Sequence, residues 1–139
     1  MSLARFVEAQ DRVYEQVCGE LRDGEKRSHW MWFIFAQLAG LGHSEIARRF
    51  AIASLDEAQA YLAHPLLGAR LRECVGILNG VEGRTISRIM GYPDDLKLRS
   101  CLTLFARATP DNQVFLDALE KFYGGTMDSL TLKLLDLAS

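Results

Sequence analysis

The chain has 139 residues, of which 49% are hydrophobic and 24% charged, a composition that supports a substantial core and excludes an intrinsically disordered chain. The net charge of −2 is spread along the sequence, so there is no dense cationic surface for a phosphate backbone and we expect no nucleic-acid partner. The longest strongly apolar run, residues 30–35, is too short to span a bilayer, and the first residues lack the apolar region of a signal peptide. We therefore expect no membrane association and a cytoplasmic location.

The first predicted helix is amphipathic, with apolar residues three or four positions apart from Phe6 to Leu21. The aromatic run WMWFIF, residues 30–35, follows it. Continuous apolar residues fit either a helix or a strand buried on both faces. Because no other segment offers a strand partner, we predict a central buried helix from about His29 to Leu38.

Capping signals place the remaining helices. Ser54 and Glu57 form a capping box, Pro65 starts the next helix, and Thr85 precedes a short helix, TISRIM. Pro93 and two aspartates suit the first turn of DDLKLRSCLTLFARA. The remaining two caps are Asp111 or Asn112 before QVFLDALEKFY and Asp128 before SLTLKLLDLA.

No segment combines a clean alternation of apolar and polar residues with a hairpin turn. The pattern therefore predicts an all-α fold of about eight helices with short connections, in which residues 1–139 form one domain around the buried aromatic helix.

Three stretches carry a family resemblance: SHWMWFIFAQL, SLDEAQAYLAHPLLGARL and GYPDDLKLRSCLTLFARATPDNQVF. In this order they resemble a bacterial domain family of unknown function, some of whose members are labelled calpastatin-like. The resemblance covers roughly Phe6 to Leu135 and implies an all-helical fold. The label implies no protease inhibition, because calpastatin inhibitory segments are disordered and this chain is not. Ala36 stands where the family is expected to have proline, so we expect the aromatic helix to continue through Gln37.

A second resemblance links this chain to small helical domains related to riboflavin-pathway N-glycosidases and ADP-ribose chemistry. It rests on an aspartate, a lysine, the helix ending in LFARATPDNQVFLDAL and the upstream Ser-His-aromatic cluster. Such domains use an acidic residue near the base or ribose, since cleavage of an N-glycosidic bond develops oxocarbenium character that a carboxylate stabilises. Asp94, Asp95 or Glu82 would have to provide that group here.

Polar residues near these motifs are the candidate site. The catalytic candidates are Asp94, Asp95 and His29. The ligand-binding candidates are Trp30, Trp32, Gln37, Arg84, Lys97 and Arg99. Several of them also have a structural interpretation: Trp30 as core, Asp95 and Arg99 as a solvated i,i+4 pair, Lys97 as part of a solvated helix face, and Arg84 as part of a plain loop before a helix.

Metal ligation is not predicted, because the three histidines have no ligand spacing relative to one another or to a cysteine. Cys18, Cys74 and Cys101 are far apart and outside any C-x-x-C motif, which indicates free thiols. We expect no metal and no cofactor.

The favoured hypothesis is a small-molecule-binding domain for a nucleotide- or glycoside-like ligand, and the sequence leaves open whether it is also a hydrolase. The alternative is a non-enzymatic protein interaction module that presents an apolar surface such as the C-terminal SLTLKLLDLAS.

Overall fold

The computed structural model describes residues 2–138, and this part of the chain contains ten helices and no strand. The all-α class is confirmed, whereas the predicted count of eight helices is too low. The helices are α1 Ala4–Asp11, α2 Tyr14–Arg22, α3 Met31–Ile34, α4 Glu45–Arg49, α5 Leu55–Ala63, α6 Leu67–Asn79, α7 Ile86–Met90, α8 Asp94–Ala108, α9 Gln113–Tyr123 and α10 Ser129–Ala138.

Three of the predicted caps are confirmed. Ser54 Oγ accepts from Glu57 N at 3.2 Å, Thr85 Oγ1 from Arg88 N at 3.2 Å, and Asp128 Oδ2 from Thr131 N at 2.9 Å. Each satisfies a donor that the first helical turn leaves unpaired. The cap predicted before α9 is absent, because Asn112 instead donates its side-chain amide to Ala106 O.

The two extra helices arise near the N terminus. The predicted first helix breaks at Val13, whose φ of −132° and ψ of −2° leave the helical region and separate α1 from α2. The five-residue α4 was not predicted, although Ser44 Oγ caps it by accepting from Ala47 N at 3.2 Å. The break at Val13 preserves the apolar spacing of the first stripe, and α4 is too short to show a period, so periodicity alone reveals neither.

The predicted helix from His29 to Leu38 is wrong in length, because α3 spans one turn and ends at Ile34. Phe35 has φ −114° and ψ 70°. Residues 36–37 lie outside any helix, and Leu38 forms an isolated parallel bridge with Ile52. Alanine at position 36 therefore does not let the helix continue. A pairing partner does exist, since Ile52 N donates to Gln37 O and Ile52 O accepts from Ala39 N, both at 2.8 Å.

The core surrounds α8, which packs against α5, α7, α9 and α10. Leu98, Leu102 and Phe105, the predicted buried edge of α8, are inaccessible to solvent. Trp30 and Phe35 join the same core, as the packing interpretation of the aromatic run predicts. All three cysteines are free and buried. Across residues 2–138, no helix has the length and apolar character that crossing a bilayer requires.

Candidate functional site

The candidate site begins with the loop that follows α2. Lys26 N donates to Ile89 O at 2.7 Å, which attaches this loop to α7. The Lys26 ammonium group donates to Ser28 O at 2.7 Å and lies 3.0 Å from Asp94 Oδ2 at the start of α8. A lysine from one loop and an aspartate 68 positions later in the sequence thus form a largely buried ion pair.

Asp94 also pairs within its own helix. Its Oδ1 lies 3.3 Å from Lys97 Nζ, one turn further along α8. Both carboxylate oxygens are therefore engaged by ammonium groups. The Lys26 side chain is 8% exposed and the Lys97 side chain 24% exposed. Solvent therefore reaches Asp94 and its two lysines from the Lys97 side.

Each of the two lysines also lies over an indole ring. Lys26 Nζ is 4.9 Å from the Trp30 ring and Lys97 Nζ is 4.1 Å from the Trp32 ring, within the range of a cation–π contact. Trp30 is buried, whereas Trp32 is half-buried. We call Lys26, Trp30, Trp32, Asp94 and Lys97 the indole–lysine cluster.

A buried carboxylate fixes the loop that presents this cluster. Glu20 is 4% exposed, and its oxygens accept hydrogen bonds from main-chain and side-chain donors. The donors are Arg27 N (2.7 Å), Ser28 N (3.1 Å), Ser28 Oγ (2.6 Å), Trp30 Nε1 (3.0 Å) and Gln16 Nε2 (3.1 Å). Burial alone would raise the pKa of Glu20, but these bonds outweigh it and lower the pKa from 4.5 to about 2.

The structure thus brings together four residues that the sequence singles out: Trp30, Trp32, Asp94 and Lys97. Sequence reasoning missed Lys26 and Glu20. Lys26 lies in a charged stretch that indicates a solvated loop. Glu20 lies three residues after Val17, at the edge of the apolar stripe of α2, where helical spacing does not reveal the donors that it binds.

Two other candidates from the aromatic segment take no part in the ion pairs and cation–π contacts of the cluster. His29 is exposed. Gln37 is buried and pairs through its main chain with Ile52. It shares with Trp32 a cavity of about 10 Å³, which has room for one water at most.

The remaining candidates pair with other elements. Asp95 is buried and accepts from Ser87 Oγ at 3.0 Å, so the predicted i,i+4 pair with Arg99 does not form. Arg99 instead lies 4.0 Å from Asp128, with its guanidinium over the Tyr123 ring. These contacts join α8 to neighbouring elements. They direct neither the Asp95 carboxylate nor the Arg99 guanidinium toward the cluster.

Arg84 is exposed and donates to Gly24 O at 3.3 Å, on the same loop that carries Lys26. It lines a groove of about 400 Å³ together with Glu82, which lies 3.7 Å from Lys121. Thr85 is occupied with capping α7, as the plain-loop interpretation of this segment predicts.

Comparisons with known proteins identify relatives but no activity. A family model described as "Protein of unknown function (DUF1810)" matches residues 1–135. The crystal structure of the conserved hypothetical protein Rv1873 from Mycobacterium tuberculosis matches with a TM-score of 0.96 and 60% sequence identity, over 96% of each chain. No curated protein matches. The comparisons support neither the calpastatin-like label nor the N-glycosidase resemblance.

Proposed function

The chain belongs to the DUF1810 family of proteins of unknown function, and we propose that it binds a small anionic molecule with a flat ring at the indole–lysine cluster. A nucleotide or a related phosphorylated glycoside has this chemistry. Cytoplasmic location stays a prediction.

The observation that carries the proposal is the convergence of Trp32, Asp94 and Lys97. Trp32 and Asp94 lie 62 positions apart in the sequence, yet Lys97 contacts both. Two ammonium groups face one carboxylate in the cluster, which leaves one positive charge in excess. An excess cation beside a half-buried indole suits a ligand that has both an anionic group and a planar ring.

The two ends of the cluster have different roles in this proposal. Lys26 is saturated by Asp94, Ser28 O and the Trp30 ring, and it holds the carboxylate in place. Lys97 is more exposed and can turn toward a ligand phosphate, while the Trp32 ring provides a surface for stacking.

Binding is better supported than hydrolysis. A carboxylate that activates water or stabilises an oxocarbenium ion must face the substrate. Both oxygens of Asp94 already contact ammonium groups, and Asp95 is buried against Ser87. Whether the protein is an enzyme stays open, with Asp94, Asp95 and His29 as the candidate catalytic residues.

Isothermal titration with AMP, ADP-ribose and uncharged adenosine tests the proposal. We expect Lys97→Met to weaken AMP binding about tenfold and to leave adenosine binding unchanged, because it removes one charge-assisted contact. Trp32→Ala should weaken both. The control is Lys133→Met, at an exposed position of α10. Equal AMP affinity in the wild type and Lys97→Met, or no binding of any probe, would refute the assignment.

A second candidate function is protein interaction through α10. Leu130 and Leu137 are 47% and 74% exposed, and with Leu134 they follow one helical face. Beside this face lies a cleft of about 430 Å³, lined in part by Leu38, Leu55 and Leu134. Light scattering of the wild type and of Leu130→Gln/Leu137→Gln distinguishes a self-associating protein from a monomer, and a wild-type monomer would remove a second copy as the partner.

A further inference from the structure

A second groove, separate from the indole–lysine cluster, lies between α1 and the end of α4. Its volume is about 280 Å³. One wall is a face of α1 and the turn after it. That wall consists of Arg5, Glu8, Ala9, Arg12 and Val13, which recur at the three- and four-residue spacing of one helix face. None of these residues belongs to the cluster proposed above.

Two aromatic side chains line the groove together with Ala9 and Val13. Phe33 and Phe50 both line it, with ring centroids 5.4 Å apart. Phe6 packs against Phe50 from the core side, with ring centroids 5.7 Å apart. This support restricts the movement of the Phe50 ring, which is only 5% exposed, so half-buried Phe33 presents the larger aromatic surface to the groove.

Arg5 holds the two walls at a constant separation. Its Nε donates to Arg49 O at 2.8 Å and its Nη2 to Ala51 O at 2.9 Å, while Glu57 lies 3.5 Å away. The Arg5 guanidinium is therefore committed to structure and joins α1 to the end of α4. It is not available as the main ligand contact.

The other two arginines are uncommitted. Within residues 2–138, the guanidinium groups of Arg12 and Arg49 have no hydrogen-bond or ion-pair partner. Arg49 stacks over Phe50, with its guanidinium carbon 5.2 Å from the ring centroid. Glu8 is the single acidic residue that lines the groove, so the two uncommitted guanidinium groups leave positive charge in excess.

We infer that this groove binds a small molecule in which a phosphate or carboxylate is attached to an aromatic ring. The ring would contact Phe33 and Phe50, and the anion would accept hydrogen bonds from the forked donors of Arg12 and Arg49. The groove, at about 280 Å³, is slightly smaller than the usual range of small-molecule sites, which favours a single-ring ligand.

The test is a titration followed by amide chemical shifts with three probes: phenyl phosphate, phenol and inorganic phosphate. We expect phenyl phosphate to shift the amides of residues 8–13, 33 and 49–51 saturably, and more tightly than either partial probe. Arg12→Gln and Arg49→Gln should each weaken its binding about tenfold, the effect of one lost charge-assisted contact. Both positions are exposed, so the variants should fold.

Two controls isolate the groove. Arg107→Gln removes an exposed arginine of α8 and should leave the titration unchanged. Lys97→Met should also leave it unchanged, so failure of the indole–lysine proposal and failure of this one are distinguishable. The inference would be overturned if phenyl phosphate gave no saturable shifts, or gave them at other residues. It would also be overturned if the Arg12→Gln/Arg49→Gln double variant bound phenyl phosphate as tightly as the wild type.

Discussion

Glu20→Gln tests whether the buried carboxylate holds the loop that carries Lys26 and Trp30. The lowered pKa of Glu20, about 2 against 4.5, corresponds to roughly 3 kcal/mol of stability at neutral pH, from 1.36 kcal/mol for each unit. Glutamine keeps the shape, but it replaces one acceptor oxygen with an amide donor that faces other donors. We expect a loss of about 2–4 kcal/mol at pH 7.

The pH dependence has a defined sign. A carboxylate with a lowered folded-state pKa stabilises the fold above its unfolded-state pKa, and this contribution is lost as the pH falls from about 4.5 to about 2. Protonated Glu20 resembles glutamine, so the wild-type stability should approach that of Glu20→Gln as the pH falls through this window.

Urea denaturation at pH 7, 5 and 3.5 measures both effects. Glu15→Gln is the matched control, because Glu15 lies exposed on the same helix, and it should change the free energy of unfolding by less than about 0.5 kcal/mol. If Glu20→Gln unfolds at the wild-type urea concentration at pH 7, the hydrogen bonds to Glu20 do not stabilise the fold and the reasoning fails.

Two further predictions concern α6. Gly68→Ala would place a Cβ 2.1 Å from Leu62 O and should cost about 2 kcal/mol or more in urea denaturation. Gly76 lies in the same helix, and a Cβ added there would meet no atom within 4 Å. Gly76→Ala should therefore raise the free energy of unfolding by about 0.5–1 kcal/mol. Equal effects of the two substitutions would contradict the packing argument. His64 Nδ1 accepts from the main-chain N–H groups of Leu66 and Leu67 at 3.1 and 3.2 Å, so His64→Ala should lower the free energy of unfolding by about 1 kcal/mol, as for other lost caps. An unchanged melting temperature would show that this cap is dispensable.

The helix caps that the sequence predicts correctly all depend on local signals. Ser54, Thr85 and Asp128 each cap a donor within three residues of themselves, so the chemistry is present in the sequence itself. The aromatic run was mispredicted because its conformation depends on Ile52, a partner 14 residues beyond Leu38 whose pairing capacity no local pattern reveals. Tertiary contacts override propensity there.

The candidate site was predictable in residue type but not in partners. Trp32 and Asp94 stand out in the sequence because tryptophan and paired aspartates are costly choices for mere packing, and Lys97 because its helix face can bind phosphate. Lys26 pairs with Asp94 because the loop after α2 packs against the start of α8. The local sequence around Lys26 does not indicate this tertiary contact. Arg99 is also a ligand-binding candidate in the sequence, yet its contacts with Asp128 and Tyr123 join helices.

The bridge between Leu38 and Ile52 closes the base of an excursion, residues 40–51, that includes α4. One flank of this excursion borders Trp32, through Gly42 and Ala47, and its far end provides Arg49 and Phe50 to the second groove. The two proposed sites therefore share one tethered segment. A ligand bound at either proposed site would restrain the segment that borders the other, and linkage would then require any effect on affinity to be reciprocal.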